Sequence, residues 1–371
     1  MNGPLSCLRC VAVVLGYAIA VSATRASDLG MDEEVVFFNT SGHLDPKGGN
    51  WVLPVHGWVF APEEQSKIKA ATLAALERLL DIEPTPEELP VFRRRAWPFL
   101  VDNKGRKELS VRVGSHYFIL PESESNGHIH ETLRLPLAEA DKLALGSGPD
   151  GRWIKFTLVT AEDDDREFAG AVRLVARRGL SVVSDIDDTI KISNVADRKA
   201  LLKNTFLRPF KAVAGMAEIY RDWGEAGAVF HYVSASPWQL YEPLTEFRVG
   251  SGFPAGSLEL QLFRWKDTSA FSLFREPDTL KRPSIDALLA EFPERRFILV
   301  GDSGQRDPEL YGELYRRHPE QIARIYIRNV TRERADGERF LEAFAEVPRE
   351  IWRVFDQPVE IERDELPEVR R

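Results

Sequence analysis

The sequence predicts an α/β domain built on a doubly wound parallel sheet, preceded by a mostly β, sandwich-like domain. Two observations carry this reading. Between positions 180 and 327 short apolar runs alternate with amphipathic helical patterns, which is how a parallel sheet covered on both faces is written. Between 35 and 178 the runs are shorter and alternate apolar with polar residues, and turn material such as Pro46-Lys47-Gly48-Gly49 separates them. With 371 residues, 43% of them hydrophobic, the chain has the material for two cores. The expected organisation is a leader at 1–26, a β-rich domain at 33–178, an α/β domain at 179–355 and a charged tail at 356–371 that frays.

At the amino end Arg9 precedes the apolar run Val11 to Ser22, and small residues follow at Ala23 and Ala26. A positive residue, about a dozen apolar ones and small residues at the end describe a secretory signal peptide, so the expectation is export to a periplasm or the exterior. The alternative is an uncleaved anchor that keeps the protein at a membrane, although a spanning helix needs about 20 apolar residues. Both cysteines, Cys7 and Cys10, fall in this leader, so no disulfide is expected in the mature fold.

The β-rich domain is expected to hold strands at Glu34 to Asn39, Trp51 to Phe60, Glu108 to Val113, Tyr117 to Pro121, Glu131 to Pro136, Trp153 to Val159 and Glu167 to Val175. One helix, Pro62 to Leu80, interrupts them with Ile68, Ala71, Ala75, Leu76 and Leu79 on one face. The α/β domain is expected to place strands at Leu180 to Ser184, Ala228 to Ser234, Leu258 to Phe263, Arg296 to Val300 and Ile322 to Ile327. Helices fall near Ala214 to Gly224, Gln239 to Val249, Ser284 to Phe292 and Pro308 to His318.

Formal net charge is -9, so there is no overall basic field for nucleic acid, and an anionic substrate must be held by local cations or a metal. The first apolar strand of the α/β domain ends in Asp185-Ile186-Asp187-Asp188-Thr189, at the sheet edge where this architecture binds ligands. Carboxylates stacked there repel one another unless a cation neutralises them. The second strand ends in Ser234, whose side chain faces the same crevice, and Lys281 supplies a point cation suited to a phosphoryl oxygen. The fourth strand runs into Gly301-Asp302-Ser303-Gly304-Gln305-Arg306-Asp307, adding two carboxylates and glycines that let backbone approach closely.

These four elements, in this order, resemble the haloacid dehalogenase (HAD) superfamily of phosphotransferases. The words around them, Asp185 to Val195, Asn204 to Val213, Val233 to Leu240 and Leu299 to Glu309, resemble the catalytic domain of the actin-patch phosphatidate phosphatases, distant cousins of the lipins. The resemblance implies a HAD-like doubly wound fold and hydrolysis of a lipid phosphomonoester such as phosphatidate, with Mg2+ as cofactor. It implies Asp185 as nucleophile, Asp187 as general acid and then base, Thr189 as a residue that orients the loop, and Ser234 and Lys281 as holders of the phosphoryl oxygens. Magnesium would be ligated by Asp185, Asp302 and the main-chain carbonyl of Asp187, with Asp307 as a further ligand or a support for the ligands. A general acid at Asp187 needs a raised pKa, which the crowd of carboxylates is expected to supply.

Thr189 to Ser234 and Ser234 to Lys281 are each under about 50 residues, which leaves room for only a minimal cap and an open site suited to a bulky or membrane-held substrate. Two other readings stand beside this one: an exported phosphatase acting on a non-lipid phosphomonoester, and a binding protein whose catalytic half is vestigial.

Other residues carry two readings each. Asp188, between the motif positions, reads as a loop carboxylate, and Asp307 as either a ligand or the cap of the helix opening at Pro308. Arg208 and Lys211 follow the first motif and either steer a phosphate group or form a solvated basic stretch. Phe206, Leu207, Phe210 and Trp238 form either an apolar lip or core. His231 reads as a core histidine. His128 and His130 alternate on a strand and share a face, but with no third ligand in view a metal there is the weaker reading.

Overall fold

Twelve residues from Asn50 to Ala61, rich in valine and aromatic side chains, are long enough to serve two neighbours at once, and the amino-terminal half is built on them. The structure, a computed structural model, describes residues 26–62, 73–262 apart from 75 and 79, 278–362 and 366–367. The expected leader lies outside the described residues except for Ala26, as does most of the expected helix Pro62 to Leu80, whose described residues from 73 onward are helical. Among the described residues no helix is long and apolar enough to cross a membrane.

The first half contains strands β1 (Glu34–Phe38), β2 (Thr40–Leu44), β3 (Asn50–Ala61), β4 (Asp102–Asn103), β5 (Ser110–Val113), β6 (His116–Ile119), β7 (His128–Pro136), β8 (Arg152–Leu158) and β9 (Ala169–Leu174). Among the described residues, helices α1 (Leu89–Ala96) and α2 (Leu137–Leu143) follow the helical residues near 73–80 and join these strands. Along one edge β3 pairs antiparallel with β7, from Asn50↔Pro136 to Trp58↔His128. It also pairs with β1 and β2, and the sheet continues through β9, β8, β5 and β6. Leu133 and Leu135 of β7 and Val111 and Val113 of β5 share one core although they are far apart in strand order, so the sheet curls over that core. Each expected strand of this half is present to within a few residues at its ends. Strands β2 and β4 were not anticipated, since Thr-Ser-Gly-His-Leu and Asp-Asn lack an alternating apolar pattern.

The second half is a six-stranded, wholly parallel sheet: β10 (Leu180–Ser184), β11 (Val229–Pro237), β12 (Gly256–Gln261), β13 (Arg296–Asp302), β14 (Ile322–Arg328) and β15 (Trp352–Phe355). Its helices are α3 (Arg198–Phe206), α4 (Met216–Glu225), α5 (Tyr241–Gly250), α6 (Asp278–Glu291), α7 (Asp307–Arg317), α8 (Glu338–Ala343) and, at the end, α9 (Val359–Glu362). Helices cover both faces, so every residue of β10 is buried. Val182 and Ile298 pack on one side against Ile219 and Tyr220 of α4 and Leu244 of α5. Val183 and Leu299 point the other way, against Leu288 of α6 and Leu310 of α7.

The strand order is β12-β11-β10-β13-β14-β15. The chain winds outward from β10 to one edge, returns to β13 on the other side of β10 and winds to the opposite edge. Loops leaving β10 and β13 therefore diverge, and a crevice opens at their carboxyl ends. Among the described residues of this half, helices α3, α8 and α9 and strand β15 are elements that the periodicity missed. Within the expected tail, Ile361 is buried in the core that holds Val182, and the residues beyond 362 other than 366–367 lie outside the described ones.

The halves share buried surface. Phe38 of β1 lies 4.2 Å from the ring of Trp238 and 4.8 Å from that of Tyr241. His231, buried in β11 as expected of a core histidine, sits among the hydroxyls of Ser181, Ser257 and, across the boundary, Ser41. Arg295 donates to the carbonyls of Ala176, Arg178 and Leu180 and so pins the connection between the halves.

Candidate active site

Strand β10 runs into a loop whose backbone folds back sharply. The amides of Ile190 and Lys191 both donate to the Ile186 carbonyl, at 3.0 and 2.9 Å, and Asp188 sits at φ +56°. That left-handed conformation is unfavourable for most side chains, and aspartate is among the few that tolerate it. Here the Asp188 carboxylate holds the turn, accepting the amides of Ser193, Asn194 and Val195 at 2.8, 2.8 and 2.6 Å. The structure thus settles Asp188 as the loop carboxylate.

The turn presents Asp185 to the ends of β13 and α6. Asp185 is buried, and its Oδ2 accepts from Thr189 Oγ1 at 2.9 Å. Lys281 Nζ lies 2.8 Å from Asp185 Oδ1 and 2.6 Å from Asp307 Oδ1. Asp307 Oδ2 accepts the amide of Asp302 at 3.2 Å, and Asp302 Oδ1 accepts that of Gly304 at 2.6 Å. Asp307 therefore reaches back into the carboxylate group. Helix α7 begins at this residue and receives no side-chain cap bond.

Three buried carboxylates face one buried lysine. Burial raises the Asp185 carboxyl to about 7, because Asp307 and Asp187 add repulsion and Lys281 offsets only part of it. Asp302 is pushed well above the ordinary range, first by burial and then by Asp307 and Asp185. Burial works against the charge on Lys281, yet Asp185, Asp307 and Asp302 outweigh it and raise its pKa. The group lacks positive charge. One oxygen from each of Asp185, Asp302 and Asp307 lies within 4.8 Å of the others, and the buried Oδ2 of Asp302 has no hydrogen-bond partner. An oxygen-only ligand set with an orphaned carboxylate oxygen fits a hard divalent cation.

Asp187 departs from expectation. Its Oδ1 accepts from Lys191 Nζ at 2.6 Å and Ser193 Oγ at 2.7 Å, and its Oδ2 from Ser234 Oγ at 3.1 Å and Ser236 Oγ at 3.0 Å. Burial would raise its pKa, but Lys191 and these hydroxyls hold it down to about 2. The raised carboxyls are Asp185 and Asp302. A count of nearby carboxylates misled because the donors facing Asp187 come from elsewhere: Lys191 and Ser193 from beyond the turn, Ser234 and Ser236 from β11.

Ser234 thus joins the site through Asp187. Arg208 is exposed after α3; its guanidinium donates to Asn204 Oδ1 at 3.4 Å, and its carbonyl accepts from buried Arg95 at 2.7 Å. Phe206, Leu207 and Trp238 are core, and Phe210 is half-buried with the Arg95 guanidinium 3.6 Å from its ring centre. Sequence reasoning missed Lys191, Ser193, Ser236 and Arg328. Lys191 carried one usable signal, since it stands four residues after Asp187, the reach of a single turn. Arg328, at the end of β14, donates to the Asp188 carbonyl at 2.7 Å and lines a cavity of about 820 Å³ with Asp188, Ile192, Asn194 and Arg332.

Residues 180–329 match the family model described as phosphatidate phosphatase APP1, catalytic domain. Over 158 residues the chain is 34% identical to phosphatidate phosphatase APP1 of Saccharomyces cerevisiae, covering 42% of this chain and 26% of that protein. Over 177 residues it is 31% identical to an uncharacterized protein of Schizosaccharomyces pombe, covering 46% of this chain and 29% of that one. The chain thus spans less than a third of the length of these relatives. A β-glucuronidase structure from Parabacteroides merdae aligns over 80% of this chain and 34% of that one at 9% identity, but its TM-score of 0.26 carries no weight for the fold. Residues 180–329, which hold the whole carboxylate group and its lysine, are thus similar to the catalytic domain of the actin-patch phosphatidate phosphatases.

Proposed function

We propose that this protein is a magnesium-dependent, phosphatidate phosphatase-like hydrolase that takes a lipid phosphomonoester through a phospho-aspartyl intermediate on Asp185. One observation carries the reading: Asp185, Asp302, Asp307 and Lys281 converge, buried, where β10 and β13 part at the carboxyl edge of a parallel sheet. The strand order and the helices on both faces support a HAD-like doubly wound fold with little cap, and hence a division into a β-rich domain at 33–178 and a catalytic domain at 179–355.

Asp185, Asp302, Asp307 and the Asp187 main-chain carbonyl would hold magnesium, which supplies the positive charge that offsets repulsion between a carboxylate and a phosphate dianion. Asp185 attacks phosphorus while the bond to the leaving alkoxide breaks, and Asp187 delivers the proton that alkoxide takes. Asp187 then removes a proton from water, water attacks the aspartyl-phosphate, and phosphate leaves with the Asp185 carboxylate regenerated. Thr189, bonded to Asp185 Oδ2, fixes which oxygen attacks.

The low pKa of Asp187 gives this scheme a condition. Ser234, Ser236 and Lys191 now donate to Asp187, and the phosphoryl oxygens compete for the same donors. As donors transfer to the substrate, Asp187 loses what stabilises its charge and its pKa rises toward that of a working acid.

The cavity of about 820 Å³ beside Asp188 brings Arg328, Arg332 and Arg334 to the site's edge, cations placed for an anionic head group. Acyl chains would stay at a membrane surface while the head group enters. The lining favours a second reading as well. Asn194, Asp197, Glu333, Asp356 and Gln357 are polar, as a soluble phosphomonoester would require. A panel of phosphatidate vesicles and soluble monoesters decides between them: preference for vesicles is expected, and equal or better turnover of the soluble set overturns the lipid reading. Asp185→Asn is expected to lower kcat by at least about 10³-fold, with magnesium chelation doing the same. Unchanged turnover in that variant would overturn Asp185 as the nucleophile, and no turnover of any substrate in the panel by the parent protein would leave a binding protein with a vestigial catalytic half.

Export is part of the proposal, supported by the leader-like residues 11–22. Sequencing the amino terminus of the protein recovered from outside the cytoplasm is expected to show cleavage near Ala26; an intact terminus in a membrane fraction would make the segment an anchor.

A further inference from the structure

We propose that His56, His128 and His130 form a second metal site, for a borderline dication of the zinc class, on the face of the β-rich half that meets the parallel sheet. The site is built from residues the proposed hydrolysis does not use, and it stands or falls independently of that reading.

The geometry comes from strand pairing. In the β3–β7 ladder His56 and His130 are direct cross-strand partners, and His128 lies two residues earlier on the same face of β7. His56 Nε2 is 2.9 Å from His128 Nδ1, and one ring nitrogen from each of the three histidines lies within 4.8 Å of the others. Two imidazole nitrogens on one tetrahedral zinc, each at about 2.0 Å, stand about 3.3 Å apart. The existing pair needs to open by only a few tenths of an ångström and give up its shared hydrogen bond. The His130 ring stacks on His56 with centres 3.9 Å apart, so rotation about its side-chain bonds suffices to turn a nitrogen inward.

Phe38, Trp58 and Trp238 surround the cluster, and a purely structural stack would need only their kind of ring. Imidazoles add nitrogen lone pairs. Burial holds His128 down to about 3 and lowers His56 and His130 too, so the rings are neutral and need shed no proton to bind.

Three histidines leave a fourth position, as catalytic zinc sites do. His56 and His130 open onto a cavity of about 650 Å³ that also carries Glu131, Glu259 and Glu291, so the fourth position is reachable by water or a small ligand. His56 packs edge-on against Trp238, with centres 4.5 Å apart, and Trp238 directly follows β11 and its Asp187-binding serines. A bound metal would therefore stiffen the wall behind Ser234 and Ser236.

Cobalt(II) serves as the probe, since tetrahedral nitrogen coordination gives strong visible bands and an oxygen-lined octahedral site gives weak ones. Chelator-stripped full-length protein is titrated with Co2+ in excess Mg2+. One equivalent with strong bands, bleached by Zn2+, is expected. His130→Gln, at an exposed position where folding is not at stake, should weaken Co2+ binding by at least about tenfold, as should His128→Gln with its fold checked by circular dichroism. Asp302→Asn should leave the bands intact. Absence of strong bands in the parent protein, bands unchanged in both histidine variants, or bands abolished by Asp302→Asn would each overturn the proposal.

Discussion

Asp185 and Asp187 stand two residues apart in one turn, equally deep, and burial acts on both in the same direction, yet their pKa values diverge to about 7 and about 2. The difference lies in who faces them: Asp185 shares one lysine with Asp307, whereas Asp187 receives a lysine and three hydroxyls. Folding stability should record this. Asp185 is raised above the ordinary aspartate value of 3.8, so the stability it contributes is full below about 3.8 and is lost as pH rises through about 7. Asp187 is depressed, so its contribution is present above about 3.8 and is lost as pH falls through about 2. Thermal melts of chelator-treated protein are therefore expected to fall in midpoint between about pH 4 and pH 8, and magnesium to restore them at the upper end; a flat profile would contradict the assignment. At Lys191 a buried ion pair is at stake. Lys191→Met strands Asp187 without its cation and is expected to cost about 3–5 kcal/mol in urea denaturation.

The element that aligns the site is the β13–α7 connection. Strand β13 carries Asp302 at its last residue, and helix α7 starts at Asp307, so the intervening loop sets how far apart these carboxylates stand. Gly301 is the tight point. A Cβ there would lie 2.4 Å from Asp307 Oδ2 and 2.7 Å from Asp307 Cβ. Gly301→Ala should push Asp307 away from Asp302 and Lys281, and a displacement of about 1 Å can cost on the order of 10²-fold in rate. The expected outcome is a loss of that size in kcat with weaker activation by magnesium, measured by titrating the metal at saturating substrate. At this scale most of the α/β half was legible, because strands buried on both faces are continuous apolar runs. Strand β15 has four residues, α8 six, and α3 no clean apolar stripe, too little for periodicity to register.

Across the whole molecule the two halves are not independent beads. Phe38 of the β-rich half belongs to the same core as Trp238, Tyr241 and Val182, while Arg173 donates to the Ala255 carbonyl across the boundary at 2.6 Å. Phe38→Ala is expected to cost about 3–5 kcal/mol and to lower a single transition followed by tryptophan fluorescence and far-ultraviolet dichroism together. Two separated transitions, only one of them shifted, would show that the halves melt apart.

Residue order by itself determined the class of both halves, the crevice at the ends of β10 and β13, and four of its members: Asp185, Lys281, Asp302 and Asp307. These are local signals, since a strand's burial is written in its own side chains and a motif in its own spacing. Only the tertiary structure decided that Lys191, Ser193 and Ser236 clasp Asp187 and reverse the expected direction of its pKa. It also brought His56 across from β3 to the two histidines of β7. Charge balance in a buried site and cross-strand register are sums over partners distant in the chain, and no single stretch of sequence contains them.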